Sequence, residues 1–459
     1  HRCSLAFSVE LRENTDGFFC YKEMKKMLLY FKTKNYRSIK DEAVLNMEAA
    51  SLKDSAADLL QFGKNKYLPA VAIYGKNGGG KSNLIRAMWL AVQFICNAQK
   101  TQTENAKVPV NPFRLDDYSC GKPTEFEFCY VQNGVKYIYG FSATQEEIKT
   151  EYLKASPHGR EASIFSRENG KFKFPQNNER KHKELIAAAV APNQLFFAVS
   201  CTMNYKPCIE AMRWFRDKIV FSRDYTDINQ SLIDYRENDA MLQAIVSAAK
   251  TADVGIQDMR FEINNKEIDF DSDDLPEQIK DMVTALKAFS DALKQSGNES
   301  EIKLNTGELK STTYHFGINK EGKQDMFELG LGDESDGTKR LMALAPAIEK
   351  TLNDGGVLIV DELEQELHLI LMEYVIRRFQ EQKNNTNQAQ IIFTTHETGL
   401  LNLEMLRRDQ IYFVDKNKKS GVTSLYSLFD FNIRNDMTNI QKAYLMGKFG
   451  AVPSIEGAQ

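Results

Sequence analysis

The sequence predicts an α/β fold: a mixed sheet covered by helices, an antiparallel β-subdomain in the N-terminal half and a helical insertion further on. Three observations lead there. Residues 71–74, Val357–Val360 and 391–394 are short apolar runs that each stop directly at polar residues suited to phosphate chemistry. Strands that are apolar throughout belong to sheets covered on both faces, and the ligands of such sheets sit beyond the carboxyl ends of the strands. Residues 125–141 hold two aromatic-rich alternating runs around Asn133-Gly134, a strong hairpin signal. Residues 210–250 and 276–294 have helical periodicity with charged faces but no sustained heptads, which fits a compact helical insertion rather than a coiled-coil arm.

Taken in order, 27–47 reads as two short strands around a polar turn, and 68–74 as a third strand stopped by glycines. Residues 82–98 are apolar on nearly every helical face, so a buried helix is expected. The polar, punctuated text of 150–180 reads as peripheral loops. Strand-like text returns at 303–329, a helix follows at 341–352, and 411–414 is another buried strand. Residues 1–26 do not begin with Met and lack a signal peptide's apolar core and cleavage site. They read as a tail of uncertain origin, with the compact part starting near Met27.

Length and composition narrow the function classes. The 459 residues allow about two to three domains. With 42% hydrophobic and 27% charged residues, the composition is that of an ordinary soluble globular protein. A net charge of −4 gives no overall basic excess, although a local basic face able to meet DNA stays open. Seven scattered cysteines with no C-x-x-C point to reduced thiols in the cytoplasm rather than to a disulfide framework or a zinc site. No apolar run approaches the roughly 18–20 residues needed to cross a bilayer, so no membrane partner is expected.

The segment Gly75-Lys76-Asn77-Gly78-Gly79-Gly80-Lys81-Ser82, followed by Asn83, satisfies G-x-x-x-x-G-K-[ST] between an expected strand and an expected helix. Glycines let backbone N–H groups turn inward around phosphates, and the helix N-terminus adds partial positive charge. Lys81 is expected to reach the β- and γ-phosphates of a nucleoside triphosphate, and the Ser82 hydroxyl to ligate Mg²⁺. The run Val357–Val360 ends in Asp361-Glu362. Carboxylates at the tip of a buried strand are costly unless a cation or hydrogen bonds compensate. Asp361 is therefore expected to hold the magnesium, and Glu362 to polarise an attacking water.

Gly332-Asp-Glu-Ser335-Asp336-Gly337-Thr-Lys-Arg340 lies about twenty residues before that strand. It resembles the signature loop of ABC-type ATPases, and its wording is similar to the AAA-15/AAA-21, OLD-like group found in abortive-infection and anti-phage defence. The resemblance runs over roughly 29–455 and implies an ABC-ATPase-like head, with ATP and Mg²⁺ as cofactors. It implies that Ser335, Asp336 and Gly337 dock in trans on the ATP of a partner copy. Thr394-Thr395-His396-Glu397 is similar to the group's switch histidine, which makes His396 a catalytic candidate beside Lys81 and Glu362. Lys34-Asn35-Tyr36-Arg37-Ser38 looks like its opening strand, whose Asn35 and Arg37 would approach the phosphates. Two departures stand after Asp361-Glu362: Glu366 replaces a small residue, and no proline follows His368. About sixty residues follow His396, too few for the Toprim nuclease of OLD proteins proper.

The resemblance implies a cytoplasmic ATP hydrolase with lobes over 27–200 and 311–459 and a mainly helical insertion over 201–310. Its expected role is the ATPase sensor or switch of a prokaryotic defence complex. The expected partners are a second copy, forming a homodimer or higher oligomer through ATP-sandwiched heads, and a separately encoded nuclease or toxin. The competing expectation is a RecF/SMC-like repair or chromosome-maintenance ATPase acting on DNA.

Overall fold

The computed structural model describes residues 25–52, 57–101, 106–157, 159–222, 228–253, 255–267, 284, 305–431 and 439–452. The expected tail up to residue 24, and all of the 276–294 helix except residue 284, lie outside them. The chain opens with β1 (Met27–Lys34) and β2 (Ala43–Asn46), paired antiparallel. A small hairpin of β3 (Leu60–Phe62) and β4 (Asn65–Tyr67), not anticipated from the sequence, precedes β5 (Ala70–Tyr74). Then come α1 (Lys81–Thr101) and the hairpin of β6 (Thr124–Gln132) and β7 (Val135–Ala143). Asn133 and Gly134 both have positive φ (51° and 73°), the geometry that joins twisted strands through a two-residue turn.

The 150–180 stretch is not a set of loops. It contains β8 (Ile148–Ser156), β9 (Ala162–Glu168) and β10 (Lys171–Lys173), which extend the antiparallel sheet to seven strands in the order β10-β9-β8-β7-β6-β1-β2. In β8 and β9 the buried positions alternate, Glu151 with Leu153 and Phe165 with Arg167, and most of the others are polar. A half-wet sheet near its edge therefore looks loop-like in composition.

Helices α2 (Arg180–Ala188), α3 (Phe196–Thr202) and α4 (Lys206–Asp217) follow. Trp214 of α4 stacks on Tyr130 of β6 with ring centroids 4.5 Å apart, and the Tyr130 hydroxyl donates to the Ala211 carbonyl at 3.0 Å. The helical text of 210–250 is interrupted by β11 (Ile219–Ser222), a parallel neighbour of the strand Val357–Val360. Four residues between helices carry too little periodicity to announce a strand. After α5 (Ile228–Asp234) and α6 (Asp239–Ala252), the stretch before the signature is a three-stranded antiparallel sheet of β12 (Ile256–Glu267), β13 (Asn305–Ile318) and β14 (Gln324–Gly330). The described part of 201–310 is thus helical and β together.

The rest is α7 (Asp336–Asp354), β15 (Val357–Val360), α8 (Leu369–Gln380), β16 (Gln390–Thr395), β17 (Ile411–Lys416), β18 (Thr423–Ser427) and α9 (Ile440–Leu445). The central sheet runs β11-β15-β16-β5-β17-β18, parallel except for β18. Its strands bury both faces. Val71, Ile73, Val357, Ile359 and Ile392 enter one core, whereas Ala72, Tyr74, Leu358, Val360 and Phe393 enter the other. Polar residues have little place on either face, so the middles of the inner strands are apolar, and the buried polar residues of β16 stand at its ends, Gln390, Thr394 and Thr395. Among the described residues, no helix is long and apolar enough to cross a membrane.

One buried charge gives the fold a pH dependence. Glu151 of β8 is fully buried; its Oε1 accepts from the Tyr139 hydroxyl (3.0 Å) and the Phe197 amide (2.9 Å), and its Oε2 from the Phe196 amide (2.8 Å). Burial pushes its pKa up to about 7. A carboxyl with a raised folded-state pKa contributes stability that is complete below its unfolded pKa and is lost as pH rises through 7. Each tenfold change in proton affinity is worth about 1.4 kcal/mol, so roughly 3 kcal/mol should disappear between pH 5 and pH 8. Urea midpoints at the two pH values should differ in the wild type, and the difference should shrink in Glu151→Gln.

Candidate active site

Neighbouring parallel strands place their carboxyl ends along one edge. Register pairs Val360 of β15 with Phe393 of β16, and Thr395 of β16 with Tyr74 of β5. Three distant pieces of text therefore meet: Gly75 onward, Asp361-Glu362 and His396. An open cavity of about 440 Å³ lies there, lined by residues 76–83, Arg86, Glu362 and His396.

The loop after β5 needs its glycines. Gly78 and Gly80 hold φ of 72° and 114°, where side chains are strained. A Cβ on Gly80 would also sit 2.6 Å from Thr423 Oγ1, and one on Gly75 would strike the Val414 carbonyl. Thr423 Oγ1 lies 3.0 Å from the Gly79 carbonyl and 2.9 Å from Ser38 Oγ, which also accepts from Asn83 Nδ2 at 2.7 Å. Lys76 pairs with Asp415 at 2.7 Å. The loop is thus braced from β17, β18 and the turn after β1.

Lys81 is 4% exposed. Its Nζ donates to the Gly75 carbonyl at 2.8 Å and lies 2.7 Å from His396 Nε2. A charged lysine has only hydrogens to offer, so His396 accepts at Nε2 and is neutral. Burial, then the Lys81 charge, hold the His396 pKa below its usual value. Burial lowers the Lys81 pKa, while Glu364, Glu362 and Asp361 raise it. The ammonium is thus a buried cation whose nearest partners are a carbonyl and a neutral ring, a site that favours an incoming anion.

Ser82 Oγ lies 3.4 Å from Asp361 Oδ1, and Thr394 Oγ1 donates to the same oxygen at 2.6 Å. Thr394 Oγ1 in turn accepts the Glu362 amide at 2.7 Å. A hydroxyl and a carboxylate facing each other form a hard-oxygen pair, which suits Mg²⁺, an ion that takes one or two protein ligands and leaves the rest to water and phosphate. Glu362 sits at φ 53°, a strained setting for a non-glycine residue, with its side chain exposed at the cavity.

The other sequence candidates are placed elsewhere. Asn35 is buried, and its side chain is committed to the carbonyls of Ser119 (3.0 Å), Lys122 (2.9 Å) and Pro123 (3.3 Å) and to the Phe113 amide (3.0 Å). Arg37 lies over the Tyr36 ring at 5.8 Å. Neither lines the cavity; the residue of that turn that braces the phosphate loop is Ser38. Ser335 caps α7, its Oγ accepting the Thr338 amide at 3.1 Å, and Asp336 pairs with Lys339 at 3.0 Å. A Cβ on Gly337 would lie 2.7 Å from the Glu366 carbonyl, so the signature loop leans on the chain leaving β15. Glu366 itself has φ 61°, the left-handed setting in which the resemblance expects a smaller residue. Ser335, Asp336 and Gly337 do not line the cavity of their own chain. Thr394, Ser38 and Thr423 escaped notice as site residues because hydroxyls carry no motif of their own; their partners are distant in sequence.

The central sheet, the glycine loop after β5, the acidic tip of β15 and α7 together have the architecture of an ABC-ATPase-like head. The match over residues 70–402 is to the family described as AAA domain, putative AbiEii toxin, Type IV TA system, and the chain belongs to that family. It is 21% identical over 427 residues to the retron Vc95 probable ATPase of Vibrio cholerae serotype O1 biovar El Tor, covering 84% of this chain and 76% of the relative. Among solved structures, an SMC head domain from Thermotoga maritima matches at 12% identity and TM-score 0.36, over 87% of this chain and 98% of that one. The ATP form of the recombination mediator RecF matches at 12% and 0.36, over 89% and 100%.

Proposed function

We propose that this chain is a Mg²⁺-dependent ATP hydrolase, serving as the sensor or switch subunit of a prokaryotic anti-phage defence complex of the abortive-infection type. The observation that carries the chemistry is the convergence of Lys81, Ser82, Glu362 and His396 on one cavity, with Asp361 against Ser82. Lys81 and backbone N–H groups of the loop after β5 bind the triphosphate. Ser82 and Asp361 would hold Mg²⁺, which supplies charge neutralisation at the phosphates. Glu362 orients the attacking water and takes its proton, and His396 turns from Lys81 to the γ-phosphate region. Family membership and the retron ATPase relative support the defence role.

In this reading, 27–200 and 311–459 are the two lobes of the head, with β11 returning from the 201–310 insertion to the central sheet. Ser335, Asp336 and Gly337 complete the site of a second copy, so ATP joins two heads and hydrolysis releases them. A separately encoded nuclease or toxin is held or freed by that change, since a ligand shifts an equilibrium by its differential affinity.

The Glu362→Gln protein tests the reading. With Mg²⁺ and ATP it should double in mass by light scattering, or capture a co-expressed neighbouring gene product, and Ser335→Ala added to it should abolish the association. Absence of any ATP-dependent association would remove the sandwich, and strong stimulation by duplex DNA would favour a repair-type role.

A further inference from the structure

We infer that Glu364 is a positioning residue: it grips the backbone of His396 and so sets where the imidazole stands relative to Lys81 and the γ-phosphate. The inference rests on the ATP-hydrolase reading above and adds a residue to it.

Glu364 Oε1 accepts the His396 amide at 2.7 Å. Three further bonds join the same segments: the Leu363 amide donates to the Thr394 carbonyl at 3.0 Å, the Glu362 amide to Thr394 Oγ1 at 2.7 Å, and Thr394 Oγ1 to Asp361 Oδ1 at 2.6 Å. The chain leaving β15 thus holds the end of β16 by four bonds, and the bond from Glu364 is the one that reaches the histidine itself. Beyond β16 the backbone has left the sheet, so no ladder partner fixes this amide. A carboxylate supplies a charge-assisted bond, shorter and stronger than a neutral acceptor gives.

The second oxygen shows that this is more than a loop contact. Among the described residues, Glu364 Oε2 is shielded from solvent and has no hydrogen-bond partner, and the hydroxyl of fully buried Tyr74 at the tip of β5 is in the same state. An unpaired buried carboxylate oxygen is expensive, and an apolar side chain would pack there without that cost. What the carboxylate offers is a firm acceptor for the His396 amide, and its charge lies toward Lys81 and His396 as well. Glu364 is the foremost opposing charge at Lys81, and at His396 it is the foremost acidic one, ahead of Glu362 and Asp361. It does not compete with Glu362 for the water, because Glu362 lines the cavity and Glu364 does not. The two acids divide the work: one faces the substrate, the other holds the residue that faces it.

The experiment pairs Glu364→Ala with Glu364→Gln in the full chain. Each is read by phosphate release, by titration with a fluorescent ATP analogue, and by amide hydrogen exchange over the peptide containing residues 394–398. Alanine should speed exchange in that peptide about tenfold or more and lower kcat about 10- to 100-fold, while nucleotide affinity stays within about threefold. Glutamine keeps an acceptor of the same length, so it should restore protected exchange and bring kcat within about fivefold of wild type. Unchanged exchange in the alanine variant overturns the inference whatever the turnover. A glutamine variant as slow as alanine also overturns it, since charge rather than the amide bond would then be what counts. A wild-type chain without ATP turnover would remove the hydrolase reading, and the exchange result would still decide whether Glu364 holds His396.

Discussion

Lys81→Ala should abolish measurable ATP turnover and weaken nucleotide affinity by at least about 100-fold. The reason is electrostatic. Lys81 is 4% exposed, and its ammonium is held by one carbonyl at 2.8 Å and a neutral imidazole at 2.7 Å. Neither partner carries a negative charge, and a triphosphate adds several to those of the nearby carboxylates. Removing the cation removes the strongest attraction in the pocket while leaving a cavity that still fits the ligand sterically. Without nucleotide, the variant should melt close to the wild type, because the cost of burying the charge is removed together with the packing of the lysine stem. Isothermal titration, phosphate release and a thermal melt together check this. Wild-type affinity in Lys81→Ala would refute the placement of the phosphates.

Glu362→Gln should slow turnover by about 10²–10⁴-fold with ATP still bound. The substitution conserves length and keeps a polar tip at the cavity. It leaves intact the amide bond from residue 362 to Thr394 Oγ1, which belongs to the backbone. What disappears is the ability to take a proton from water. Single-turnover measurements with radiolabelled ATP separate the slowed chemical step from binding. Equal loss of binding and turnover would instead mean that Glu362 supports the pocket and does no chemistry.

Much of this was legible in the linear text because the relevant physics is local. The Gly75–Ser82 wording announces a turn that needs positive φ at Gly78 and Gly80, and apolar Val357–Val360 followed by Asp361-Glu362 announces a buried strand with an acidic tip. Asn133-Gly134 specified its hairpin because both residues tolerate positive φ. Strands β8 to β10 were not legible, since a sheet wet on one face shares its composition with loops. Strand β11 was missed because its assignment depends on β15, more than a hundred residues away. Asn35 illustrates the opposite error. A motif suggested contact with phosphate, whereas four backbone groups of the 113–123 loop claim its side chain.

The sequence by itself determined which residues can do phosphate chemistry and which strands must be buried, because residue type and short-range periodicity carry that information. Only the tertiary structure decided that β16 lies between β15 and β5. That order brings His396 to Lys81 across 315 positions of chain, sets Thr394 between Asp361 and Glu362, and gives Glu364 the amide of His396. Strand order is chosen by how whole elements share two cores, a property of the packed chain that no short stretch of text contains.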